Sequence, residues 1–178
     1  MPKNLNSFIL SDDTIEIMKQ KLKKTGEINR ELGFNLCKID GTNELKDDTH
    51  CIGSNCNLQL SDTCKIGKKV GTYHTHPKAT SIPSLPDLWG GYYHGVECIG
   101  GTQDQKITCY VRKDKDRDPK INKMFSANNA RFESLRSGKK HSIKTQRGYQ
   151  MYMSKFRDLQ YTRDVLQQKY FDAIIIKE

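Results

Sequence analysis

Four residues within GTYHTHPKATSIPSLPD, residues 71 to 87, could do chemistry together: His74, His76, Ser84 and Asp87 stand as H-x-H, seven residues, then S-x-x-D. Two histidines two apart on a strand project from the same face, so both imidazoles can reach one metal ion; adjacent histidines could not. Each half is weak alone. A histidine pair on a strand is often only surface, and Ser-x-x-acid is a helix start of the capping-box kind, with Pro86 tolerated in the first turn. Their combination is rarer, with about 0.0006 occurrences expected from this composition. The two readings are also compatible: a helix start that caps itself through Ser84 holds Asp87 rigidly, which suits a third metal ligand.

The flanking sequence supplies elements to position these groups. KVGTYHTH reads as a strand that Pro77 ends, because proline cannot donate to a ladder. A short helix follows from about 84 to 94, then VECIGG and KITCYV as two strands, the second with Ile107, Cys109 and Val111 on one face. Upstream, Ser11 reads as an N-cap with Asp12 and Asp13 in the first turn, and Ile15, Met18 and Leu22 at helical spacing predict a helix over 12–25, with Gly26 as its stop. LGFNLCKI, residues 32–39, reads as a strand entering the Asp40-Gly41 turn. Residues 112–148 hold eight apolar residues in 37 and predict a poorly packed, partly helical excursion. Tyr149, Tyr152, Met153, Phe156, Leu159 and Leu166 then predict a long amphipathic helix, before FDAIII closes as a strand or a helix extension.

The H-x-H and S-x-x-D set resembles the JAMM motif of the MPN+ (JAB) metalloprotease family, with the element order matching over residues 8 to 111 and only loosely over 112–178. The resemblance implies an α+β fold (an α/β sandwich), a mixed sheet flanked by helices, related to the cytidine deaminases. It implies a zinc ion (Zn2+) held by His74, His76 and Asp87, a water in the fourth position, and an upstream glutamate as general base. Glu16 in the first helix and Glu44 beyond the strand are expected to be solvated. Glu27 and Glu31 lie between helix and strand, where the family places its base. Residues 31–36, ELGFNL, resemble the family's E-x-G-G-x-L segment with Phe34 in place of the second glycine, so Glu31 is preferred and Glu27 is the alternative.

The chemistry is coherent in its own terms. Three protein ligands with an open position mark a catalytic rather than a structural zinc site. The ion lowers its water's pKa toward ~7 and polarises a carbonyl, Glu31 takes the water proton and delivers it to the leaving amine, and Ser84 hydrogen-bonds the developing oxyanion, matching the family's serine. His50 and His94 read as ordinary histidines.

The expected function is that of a metallo-isopeptidase or peptidase acting on ubiquitin or ubiquitin-like conjugates, a substrate class implied by the resemblance. A tail could add as an extra strand beside 69–76, where Thr72 and Thr75 are too small to block it. Two other classes remain: a non-catalytic scaffold of the same family, which normally lacks these ligands, and a nucleic-acid-associated role, which only the charge supports.

A chain of 178 residues is one domain's worth. Its apolar fraction, about 38%, lies below the usual ~45 to 50%. The net charge of +9 is localised: residues 111–150 carry 12 Lys or Arg and 4 Asp or Glu, leaving a nearly neutral remainder. The basic stretch 112–148 reads as a solvated loop or as a docking surface for a protein partner or the distal part of the substrate, ahead of nucleic acid, and its position after the strand ending at Val111 resembles that of the family's second, variable insertion near the substrate channel. Residues 149–178 are expected to pack a helix on the core. No apolar run is long enough for a signal peptide or a membrane span, so a cytoplasmic protein with reduced thiols is expected. Cys51, Cys56 and Cys64 beside His50 form a weak second metal grouping, set against buried or loop thiols.

Overall fold

The first helix begins where its cap chemistry dictates. In the computed structural model, which describes residues 2–53, 60 and 63–176, Ser11 accepts a hydrogen bond from the Thr14 amide and Asp12 and Asp13 occupy the first turn. The helix, α1 (Asp12–Ile28), runs past the expected stop at Gly26. Gly26 is surrounded by open space and stays helical, while Asn29 adopts the left-handed conformation at φ 53° and donates its N–H to the Thr25 carbonyl. Asparagine tolerates that conformation better than most residues, so the helix stops there.

The described residues build a mixed α+β fold around one eight-stranded sheet. The strands are β1 (Lys3–Leu5), β2 (Phe8–Leu10), β3 (Leu32–Lys38), β4 (Glu44–Ile52), β5 (Lys68–His76), β6 (Val96–Gly101), β7 (Lys106–Arg112) and β8 (Phe171–Ile176). The other helices are α2 (Leu85–His94), α3 (Pro119–Ser142) and α4 (Gln146–Tyr170). Spatially the order is β1-β2-β4-β3-β5-β6-β7-β8. The β2–β4 and β5–β6 pairs are parallel and all others antiparallel. Parallel neighbours need a crossover, and α2 supplies it between β5 and β6.

Two apolar layers lie on opposite faces of the sheet, because alternate strand residues point to opposite sides. On one face Met18 and Leu22 of α1 pack with Phe34, Leu36, Tyr73, Cys98 and Val111. On the other Leu88 and Tyr92 of α2 pack with Ile99, Tyr110, Phe125, Leu159 and Phe171. Tyr73 and Thr75 therefore face α1, where Thr75 Oγ1 lies 2.5 Å from Thr25 Oγ1, and Thr72, His74 and His76 face α2.

Most of the basic stretch becomes α3, which buries Phe125 fully and packs Ile121, Met124, Phe132 and Leu135 against the second layer. No helix among the described residues is long and apolar enough to cross a membrane.

The thiols differ from the reduced state expected of them. Cys98 and Cys109 are register partners across β6 and β7, with Cα atoms 4.0 Å apart, and form a disulfide. A second disulfide, Cys37–Cys64, ties β3 to the segment entering β5. Cys64 is thus unavailable to the weak second metal grouping, and Cys56 of that grouping lies outside the described residues.

Candidate metal centre

His74 and His76 leave β5 on the α2 side, and Asp87 enters from the first turn of α2. The helix start is a full capping box: the Asp87 N–H donates to Ser84 Oγ at 3.3 Å, and the Ser84 N–H donates to Asp87 Oδ2 at 2.6 Å. Local helix capping and the placing of a carboxylate beside the histidines are one arrangement. The loop between His76 and Ser84 is fixed by Ser81, whose hydroxyl donates to Asp104 at 2.8 Å and whose carbonyl accepts from the buried Tyr110 hydroxyl at 2.9 Å.

Three donors converge. His74 Nε2 lies 3.0 Å from His76 Nε2 and 3.4 Å from Asp87 Oδ1, and His76 Nε2 lies 3.5 Å from Asp87 Oδ2. Tetrahedral donors about 2.0–2.1 Å from an ion stand ~3.3 Å apart, so the spacing fits a metal-sized centre. The tautomers agree. His76 Nδ1 donates to the Thr80 carbonyl at 3.1 Å, and His74 Nδ1 lies 2.9 Å from Glu97 Oε1. With both Nδ1 atoms protonated, two Nε2 lone pairs and a carboxylate face one point, which a cation satisfies. His74, His76 and Asp87 could therefore hold a metal ion.

Without an ion, the charges lean on each other. Burial works against a charged His74, yet Asp87 and Glu97 hold its pKa well above the usual histidine value. Burial likewise opposes Asp87 ionisation, and His74 and His76 overcome it to keep the carboxyl well below its usual range.

Glu31, immediately before β3, is buried and lines the same cleft, a cavity of about 410 Å3. Burial raises its pKa, with His74 and His76 pulling the other way. Glu27 sits on the last turn of α1, half exposed and paired with Lys24 at 3.3 Å. The structure thus brings Glu31, Ser84, His74, His76 and Asp87 together and leaves Glu27 outside. His50 is also elsewhere, 2.7 Å from Asp47 and stacked on Phe34.

Sequence reasoning missed two contributors. Glu97 on β6 is buried, accepts from the Thr72 hydroxyl at 2.5 Å, and orients His74 from behind. The one signal for it is a carboxylate inside an otherwise apolar strand, VECIGG. Phe132 and Arg136 of α3 form an outer wall of the cleft, from a stretch that the sequence marked as a poorly packed insertion near the substrate channel without singling out either residue. Compared with protein-family models and with curated proteins, the sequence matches none.

Proposed function

We propose that this chain is a zinc-dependent metallo-isopeptidase or peptidase of the JAMM/MPN+ (JAB) kind, acting on ubiquitin-like protein conjugates. One observation carries the reading: two imidazole nitrogens and one carboxylate converge with their tautomers set, beside a buried glutamate in the same cleft. Nitrogen and oxygen donors limited to three suit a zinc site with an open position. A zinc ion held by His74, His76 and Asp87 would supply a Lewis acid able to lower the pKa of a water toward ~7 and to polarise a carbonyl.

The residues of the chain do the rest. Glu31, whose burial raises its proton affinity, takes the water proton and passes it to the leaving amine. Ser84 Oγ already accepts from the Asp87 amide, which leaves its own hydrogen to donate to the carbonyl oxygen as charge builds on it. Glu97 keeps His74 in the tautomer that presents Nε2. The mixed sheet with α1 on one face and the remaining helices on the other agrees with the MPN/JAB fold, and the converging ligands favour catalysis over a scaffold role.

The test is incubation of zinc-loaded protein with isopeptide-linked ubiquitin-like proteins, with and without chelator. Cleavage that chelator stops and Glu31→Gln abolishes is the expected result. No cleavage of linked proteins or peptides by zinc-loaded protein would overturn the proposal.

A further inference from the structure

The whole net charge of the chain lies in the two helices that cover the second apolar layer. From Pro119 to Tyr170 there are twelve Lys or Arg against three Asp or Glu, which leaves 18 of each sign in the rest of the molecule. Packing of Phe125, Leu159 and Leu166 holds α3 and α4 on the sheet, so these charges ride on a fixed frame. Ten of the twelve cations are exposed, and among the described residues Arg163–Asp164 is the one ion pair within the two helices. Arg131 of α3 and Lys155 of α4 line a groove of about 330 Å3 between the helices, with Asp158 the sole carboxylate among its lining residues. Tyr149 and Tyr161 of α4, 52% and 73% exposed, stand among these cations.

We infer that the water-facing side of α3 and α4 binds single-stranded nucleic acid. Unneutralised cations on a rigid surface attract phosphates and gain from the release of counterions. Exposed tyrosines offer flat faces on which unpaired bases stack, whereas a duplex keeps its bases turned inward. The cations also discriminate against an acidic protein, because seven are lysine and five arginine: lysine is depleted at protein interfaces, while phosphates accept either. The sequence alone put a protein partner ahead; the folded helices reverse that order. Each helix is about 36 Å long, enough to follow several nucleotides of an extended strand. The inference is independent of the peptidase reading and adds a second ligand class to the chain.

The test is fluorescence anisotropy of a labelled oligothymidylate about 20 nucleotides long, titrated with the full chain. Affinity should fall about tenfold or more between roughly 50 and 200 mM salt, as the release of three or more counterions requires. Arg131→Glu with Lys155→Glu should weaken binding about tenfold or more, whereas Lys23→Glu with Lys24→Glu, the same charge change on α1 across the sheet, should cost much less. Tyr149→Ala with Tyr161→Ala should weaken the single strand about fivefold or more and leave a duplex of the same length unaffected. All six side chains are exposed, and matched thermal melts confirm that each variant folds. No binding at the lower salt, an equal loss from the α1 pair, an unmoved tyrosine variant, or a labelled polyglutamate that binds as tightly would each overturn the inference, the last by returning the surface to an acidic protein partner.

Discussion

His74 Nδ1 and the Glu97 carboxylate meet at 2.9 Å across the parallel β5–β6 pair, both side chains buried. Partners of this kind orient a metal-binding imidazole, and their loss typically costs about 10- to 100-fold in metal affinity. Glu97→Ala should weaken zinc binding by about that factor. Glu97→Gln, whose amide oxygen still accepts from Nδ1–H, should remain close to the parent. Competition with a chromophoric chelator measures both, and an Ala variant as tight as the parent contradicts the role given to Glu97.

Gly91 is where α2 packs closely against the Cβ of Glu97. A Cβ there would lie 2.9 Å from Glu97 Cβ and 3.3 Å from Phe171. Gly91→Ala should push α2 outward, cost about 1–3 kcal/mol as overpacking does, and weaken zinc binding because Asp87 rides on the same helix. Thermal melts and chelator competition give the two readouts; an unchanged pair of values would show that the helix does not need this approach.

Asp48 anchors the segment that enters β5, accepting from the amides of Lys65 and Ile66 and from the Thr49 hydroxyl. Burial opposes its charge, but the Ile66, Thr49 and Lys65 donors prevail and hold its pKa below the usual carboxylate value. A depressed folded-state pKa contributes stability that is present above the unfolded value, about 3.9, and lost as pH falls through the folded one. Asp48→Asn should therefore destabilise the protein at pH 7, by about 1–3 kcal/mol, and cost progressively less below pH 4. Urea denaturation at several pH values checks the sign; a penalty that grows in acid is the contrary outcome.

The Cys37–Cys64 bridge closes a loop with a sequence separation of 27 residues. Loop-closure entropy assigns such a bridge about 3.5 kcal/mol. Cys37→Ser should lower stability by a cost of that order, and alkylation followed by mass spectrometry should find both thiols protected until reductant is added. Full alkylation of Cys37 in unreduced protein would remove the bridge.

How much could be read in advance depended on whether a group's partners lie close in sequence. His74 and His76 follow from strand period, and Ser84 and Asp87 from a local cap, so all four were legible. Glu31 was already preferred over Glu27 on the ELGFNL segment, and the structure adds the physical difference between them, burial in the cleft for Glu31 against a half-exposed ion pair with Lys24 for Glu27. Glu97 was illegible because its partner is on a neighbouring strand, and only the register Thr72↔Glu97 brings it to His74. The disulfides were set aside on the default of reduced thiols, and the pairing of Cys98 with Cys109 emerges only in the hairpin register. In 112–148 the low apolar content hid a helical stripe, Ile121, Met124, Phe125, Phe132 and Leu135, which is enough to bury one face of α3 while its charges stay in water.

The most direct measurement is calorimetric titration of zinc into the metal-free protein and into Asp87→Ala. The account predicts one tight equivalent for the parent, retained in Glu31→Gln, which keeps all three ligands, and lost in Asp87→Ala. A tight equivalent that persists undiminished in Asp87→Ala would contradict it.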